Sequence, residues 1–315
     1  RMNYSNTKRD QADVTVFVLP IDTIKRKNLY QLTGLQKYGY RFIVLTTDSF
    51  GDSQQIVAEK NIEVICTSRR FPRASLVFQT LRILCSRKIE IAEVYPGYWI
   101  TLLITILLKI ARLPVILIAR GAEYPYVLGT MPKLQRIAFR QTYRLADFVL
   151  YKESYMEKML DDMKIKERKF LHNAVEVPAE TKTVSEDGCR FLFMNSIKPF
   201  RHPDFAIEAF LNICKKFNLQ KDSNIRLDIV GLQGIRSSNA QKKEQDLAAM
   251  IDGLDVPIEL HPWAENPHVW LEKSDVFLLP ADVVFLNYTL LDAMAFGLPV
   301  IIQDTDLSDQ IISDG

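Results

Sequence analysis

Short apolar runs alternate with helix-length stretches from one end of this 315-residue chain to the other. In the first half the runs are "VTVFVLP" (14–20), "RFIVLTT" (41–47), "IEVICT" (62–67), "IEIAEVY" (89–95), "PVILIAR" (114–120), "DFVLYK" (147–152) and "KFLHNAV" (169–175). Helical stretches such as 74–87, 98–112 and 131–145 separate them. Strands this continuously apolar must be covered on both faces, which calls for parallel sheet flanked by helices. The polar segment "PAETKTVSEDG" (178–188) breaks the rhythm and reads as a linker. Alternation then resumes with "RFLFMN" (190–195), "IRLDIVG" (225–231), "PIELHP" (257–262), "DVFLLPA" (275–281) and "PVIIQD" (299–304), separated by helices at 203–217, 239–252, 265–273 and 288–296. The expectation is an α/β chain of two tandem doubly wound, Rossmann-like domains, 1–180 and 181–315, each long enough for its own core. Ligands in such sheets bind beyond the carboxyl ends of the strands, so a cleft between the domains is the expected site.

Several function classes fall away. No strand is followed by G-x-G-x-x-G, and "IVGLQG", with Gly231 and Gly234, is only a partial dinucleotide loop. Cys66, Cys85, Cys189 and Cys214 have no metal-ligand or CxxC spacing, so zinc and redox chemistry are not expected. The apolar segment 98–121 contains Lys109, Arg112 and Pro114, and its uninterrupted part is about half the ~20 residues of a membrane span. It reads as a buried helix ending near Arg112, followed by a buried strand. No signal peptide is expected, and nucleic acid is not an expected partner. The net charge of +2 hides an asymmetry: residues 1–180 carry 28 Lys and Arg against 18 Asp and Glu, whereas 181–315 carry 12 against 20. Either this is chance surface charge or the first half meets something anionic.

The stretch "NYTLLDAMAFGLPVII" (287–302) is the richest in chemistry. Asn287 is a good N-cap, Gly297 suits the left-handed position after a helix, and Pro299 stops it. The free amides of Tyr288 and Thr289 and the helix dipole make an anion site. Asp292, three and four residues on, shares their face and is placed to meet the hydroxyls of a ribose. On these residues alone it is equally a solvated acid on a packing helix.

The segment from Ser274 to Gly315 resembles the nucleotide-sugar region of family-four retaining glycosyltransferases, whose pattern runs acid, seven residues, Glu-Ala-Met-Ala-x-Gly-x-Pro-Val. "FLFMNSIKPFRHPDFAIEAF" (191–210) is similar to the family's strand–loop–helix that carries an Arg and a Lys for the donor diphosphate. "LHNAV" (171–175), "LDIVG" (227–231) and "IELHPW" (258–263) follow the family's order. The resemblance implies the two-domain GT-B fold and a UDP- or GDP-linked sugar as substrate, with no cofactor and no metal. Carried over by position, Arg201 falls on the diphosphate Lys, and Ser196 on the Arg, with Lys198 near enough to compensate. Asp292 falls on the ribose-binding acid. Val284 falls on the first acid of the pair, whose role is then absent or moved to Asp282. Arg120 and Glu123, in "IARGAEYPY", take the place of residues that face the sugar, or else form a structural pair. His261 and Trp263 fall near the nucleobase, though Trp263 equally suits a core; Gly231, Asn287, Tyr288 and Thr289 complete the donor set. His172 and His202, lacking evident partners, read as structural, and His268 as a surface residue.

The reading is a retaining, metal-independent hexosyltransferase acting on a glycan or lipid-linked acceptor, in cell-surface polysaccharide or glycoconjugate synthesis. It is expected to be cytoplasmic. The clusters "KRK" (25–27) and "SRRFPR" (68–73), with Phe71, suit peripheral docking on anionic lipid. Two rivals stand: an inactive GT-B binding module, favoured by Val284 and Ser196, and a sugar-nucleotide epimerase of the same architecture. Relative to the family, the second domain is expected to be incomplete after Gly315.

Overall fold

The computed structural model describes residues 14–19, 26–46, 62–67, 71–97, 99–119, 126, 129–171, 173, 175, 177–178, 188–232, 238–264, 266–282 and 287–304. It divides into two units, Arg1–Leu171 and His172–Gly315.

The first unit follows the order β1 (Val14–Leu19), α1 (Arg26–Gln36), β2 (Tyr40–Thr46), β3 (Glu63–Cys66), α2 (Pro72–Ser86), β4 (Ile91–Val94), α3 (Trp99–Ile110), β5 (Val115–Ile118), α4 (Lys133–Leu145), β6 (Phe148–Tyr151), α5 (Met156–Asp162) and β7 (Arg168–Phe170). Its strands form one sheet in the order β3-β2-β1-β4-β5-β6-β7. Every described pairing is parallel; Phe17 lies opposite Ile43 and Ala92. Side-chain alternation sorts the core by face. Val16, Val18 and Val44 pack with Leu32 of α1 on one side. Phe17, Leu45, Val94 and Val115 pack with α2 and α3 on the other, where Leu117 and Val149 meet Phe139 and Tyr143 of α4. Helices α2, α3 and α4 therefore form one layer. The apolar segment near residue 100 is a helix followed by the buried β5, as expected, but the helix is half buried rather than buried, because only one side of it packs on the sheet. No helix among the described residues is long and apolar enough to cross a membrane.

The second unit runs β8 (Cys189–Met194), a 3₁₀ turn (Pro199–Arg201), α6 (Pro203–Phe217), β9 (Ile225–Leu232), α7 (Ser238–Ile251), β10 (Ile258–Pro262), α8 (His268–Lys273), β11 (Val276–Leu279), α9 (Tyr288–Ala295) and β12 (Val300–Ile302). Its parallel sheet has the order β10-β9-β8-β11-β12. Phe193, Leu227 and Ile229 pack under α6 and α7, whereas Leu192, Met194, Val230 and Phe277 pack under α8 and α9. Helices change face where the strand order reverses, between β8 and β11.

Some expected boundaries shift for local reasons. Helix 265–273 begins only at His268, because Pro267 disfavours helical geometry in the residue before it. Strand 275–281 stops at Leu279, since Pro280 cannot donate to a ladder. The run 169–175 yields only the three-residue edge strand β7, paired to β6 alone.

Candidate functional site

The switch point between β8 and β11 is where a doubly wound sheet opens a crevice at its carboxyl edge. Two connections leave it, 195–202 after β8 and 280–287 after β11. The first starts with a tight backbone contact. The Asn195 amide donates to the Val230 carbonyl at 3.1 Å, and its Oδ1 accepts from the Ser196 amide at 2.9 Å. Gly231 lies beside it with φ +136°, and a Cβ there would stand 1.8 Å from the Asn195 carbonyl oxygen. Only glycine allows that approach.

The 3₁₀ turn then brings up Arg201. Two cations stand over the Phe200 ring, Lys198 Nζ at 5.8 Å and the Arg201 guanidinium at 5.2 Å. Lys198 is exposed, whereas Nε and Nη1 of Arg201 are buried with no hydrogen-bond partner among the described residues. Burial pushes its pKa below the ordinary arginine value. That is the direction expected of a cation desolvated without a compensating charge. A buried, unpaired guanidinium is costly unless something anionic joins it.

His202 closes the connection, and its sequence carries no signal for what it does. It sits in the left-handed region (φ 48°, ψ 50°) and stacks on Phe205 at 4.4 Å. Its Nε2 is 2.6 Å from Asp282 Oδ1, and the Asp282 amide donates to the Phe200 carbonyl at 3.1 Å. Asp204, 4.0 Å from His202 Nδ1, is held by Lys243 at 2.8 Å. The two connections are thus cross-linked next to Arg201. The Asp282 carboxylate, the candidate heir to the missing acid, is committed at one oxygen to His202.

Across the switch point, α9 has the caps expected of it. Asn287 Oδ1 accepts from the Leu290 amide at 2.8 Å and from Thr289 Oγ1 at 2.9 Å. Gly297 follows the helix with φ +75°. The Asn287 Nδ2 is buried and unpartnered among the described residues, as is that of Asn195. The Tyr288 hydroxyl donates to Asn173 Oδ1 at 3.2 Å, tying that asparagine to this helix. Asp292 is partly buried one turn behind the cap.

His261 and Trp263 lie on and just after β10, at the strand end where the sequence places them. His261 lies on β10 with Nε2 2.8 Å from Asp228 Oδ1 and 3.6 Å from Glu259 Oε2, its ring 4.4 Å from that of Trp270. Trp263 is 51% exposed and so is not a core residue. Asp228, Glu259 and His261 also form a group whose ligand atoms lie within 4.8 Å of one another, which no sequence spacing announced. Arg190 Nε stands 3.4 Å from Asp228 Oδ2 and already supplies positive charge there. His268 is partly buried, its ring 5.1 Å from Phe296. Arg120, Glu123, His172, Gly234 and Val284 lie outside the described residues, as do Lys25 and residues 68–70 of the basic clusters.

Residues 188–315 match the family model described as glycosyl transferases group 1. No curated protein sequence matches the chain. Among solved structures, HepE from Anabaena in complex with UDP-glucose is similar with a TM-score of 0.73 at 13% identity, over 95% of this chain and 83% of that one. Sucrose-phosphate synthase from Thermosynechococcus elongatus has a TM-score of 0.73 at 12% identity, over 92% and 81%. UDP-GlcNAc 2-epimerase from Methanocaldococcus jannaschii has a TM-score of 0.60 at 11% identity, over 94% and 86%. The expected fold class holds: two parallel-sheet α/β units, as in GT-B glycosyltransferases.

Proposed function

We propose that this chain is a retaining glycosyltransferase of the family-four type. It moves a hexosyl unit from a UDP- or GDP-linked sugar to a glycan or lipid-linked acceptor, in cytoplasmic synthesis of cell-surface polysaccharide or glycoconjugate. One observation carries this reading: the buried N–H groups of Asn195, Arg201 and Asn287, on the two connections at the β8/β11 switch point, have no hydrogen-bond partner among the described residues. All are donors and one is cationic, so the group they suit is an anion. The family match over 188–315 supports a nucleotide-sugar diphosphate as that anion.

In this reading Arg201 and the amides of Tyr288 and Thr289 hold the diphosphate, with Ser196 and Lys198 beside them and Gly231 keeping the floor of the crevice close. Asp292 accepts from the ribose hydroxyls. Trp263 offers an exposed ring to the nucleobase, and His261 anchors that strand end through Asp228. Arg120 and Glu123 face the donor sugar or acceptor, on the strength of the resemblance. Negative charge grows on the leaving diphosphate as the glycosidic bond breaks. Preorganised donors aimed there lower the barrier, and removing one such group typically costs about 10²–10³ in rate. The leaving phosphate takes the acceptor proton, no side chain acts as nucleophile, and Arg201 supplies the charge a metal would otherwise bring.

Calorimetry with UDP, GDP and a panel of their sugars tests the proposal. Arg201→Ala is expected to weaken binding about a hundredfold, the loss of a buried charge-assisted pair. If neither Arg201→Ala nor Asp292→Ala changes binding, the site assignment fails. A second reading, an inactive GT-B module that binds a glycan or partner, draws on Val284 and Ser196 standing where the family pattern has an acid and an Arg. Binding of a nucleotide sugar without hydrolysis or transfer would favour it. An epimerase is a weaker alternative, because its chemistry needs more acids at the sugar, and Val284 removes one.

A further inference from the structure

We infer that Asp228, Glu259 and His261, on strands β9 and β10 of the second unit, form a zinc site that fastens the edge strand of the sheet. Strand geometry brings the three together. Glu259 and His261 are two residues apart on β10 and so project from one face. Asp228 lies opposite Glu259 in the parallel pairing of β9 with β10, which puts it on that same face. Helix α8 closes one side of the group, the Trp270 ring lying 4.4 Å from that of His261. His261 Nε2 is 2.8 Å from Asp228 Oδ1 and 3.6 Å from Glu259 Oε2. Ligands held about 2.1 Å from one zinc ion stand roughly 3–3.5 Å apart, so a small movement of these side chains seats all three. The Glu259 side chain, 54% exposed, is free to make it. One imidazole and two carboxylates suit zinc, and the set uses none of the cysteines whose spacing argued against that metal.

The outer oxygens of both carboxylates face arginine instead. Asp228 is 3% exposed, and its Oδ2 makes no hydrogen bond among the described residues. Arg190 Nε stands 3.4 Å from that Oδ2, and Arg226 Nη1 stands 3.9 Å from Glu259 Oε1. Both guanidiniums therefore lie on the oxygens turned away from His261, leaving Oδ1 and Oε2 to the imidazole. A metal held by the inner oxygens and Nε2 would keep the arginines as outer partners of its carboxylates, the kind of contact that orients a ligand. Because two guanidiniums balance two carboxylates, β9 and β10 are expected to stay paired when zinc is removed, and the ion adds stability without creating the fold. It acts where the sheet is weakest, since β10 is an edge strand paired to β9 alone among the described strands. Zinc here is independent of the proposed diphosphate contacts, which lie at the β8/β11 switch point.

Titration calorimetry of the full chain with zinc chloride, after dialysis against a chelator, tests this. One equivalent is expected to bind, and His261→Ala and Asp228→Asn should each abolish binding. Glu259→Gln, at an exposed position that spares the packing, should weaken it at least about tenfold. The Cys66→Ser/Cys85→Ser double variant should bind zinc as the unaltered chain does. Cobalt in place of zinc should absorb weakly in the visible, with no thiolate-to-metal charge-transfer band. Zinc should raise the thermal midpoint of the unaltered chain and raise that of Glu259→Gln less. Absence of stoichiometric binding, binding unchanged by Glu259→Gln, or a thiolate band with cobalt overturns the inference.

Discussion

Single residues at the β8/β11 switch point carry contacts that have no local signal. Gly231 is the strictest case. Gly231→Ala places a methyl into the Asn195 carbonyl and strains a φ of +136°, so urea unfolding should show a loss of about 3 kcal/mol. His202 is the more instructive one. His202→Ala removes the 2.6 Å contact with Asp282 that joins the two connections. It is expected to weaken nucleotide binding roughly tenfold, in line with ~1.5 kcal/mol for a hydrogen bond to a charged group. His202→Asn, which tolerates the left-handed backbone and can still donate, should recover part of that affinity. Equal affinity for all three proteins would mean the cross-link does not position Arg201. The partner of His202 was invisible in sequence because it lies 80 residues away, on a different strand's exit. Arg201, by contrast, was singled out by the resemblance, which sets it at the position of a diphosphate-binding cation. What the sequence left out was that its Nε and Nη1 are buried with no partner among the described residues.

At the scale of elements, α9 and the α3–β5–β6 corner make separable predictions. Asn287 both caps α9 and has a side-chain N–H with no partner among the described residues. Asn287→Ala should cost about 1 kcal/mol in thermal unfolding. Asn287→Asp should keep the cap and the stability yet weaken diphosphate binding, because a carboxylate replaces a donor. In the other unit, Asp147 accepts from the Val115 amide at 2.8 Å and pairs with Lys109 at 2.6 Å. Burial alone would raise its pKa, but the ammonium and the amide outweigh burial and hold it below the usual 3.8. A carboxylate with a depressed folded pKa stabilises above its unfolded pKa and loses that contribution as pH falls through the folded one. Asp147→Asn should therefore destabilise at neutral pH by about 1 kcal/mol at most, given the side chain's half exposure. The gap should close as the solution is taken below pH 3.8, and urea midpoints at several pH values would show it.

For the whole molecule, ligand binding should be felt in one unit. UDP or GDP at about a hundred times its dissociation constant should add ~2.7 kcal/mol to the unit that binds it. Hydrogen exchange is expected to slow at 195–202 and 287–292 and to stay unchanged in α2, α3 and α4. Protection confined to the first unit would contradict the site assignment.

Local periodicity was enough to announce two doubly wound sheets, since continuously apolar strands and amphipathic helices are written within a few residues of themselves. The cap at Asn287 and the stop at Gly297 were legible for the same reason: each depends on neighbours close in the chain. The structure decided what depends on pairings across many residues. It set Gly231 against Asn195, bound His202 to Asp282, drew His261 to Asp228, and left three sets of N–H donors at the switch point without partners among the described residues. It also turned the second apolar stripe of α3 outward beside two acid-free helices. A sequence pattern records that a side chain is apolar or charged; only the packed fold determines which of them find a partner and which remain facing out.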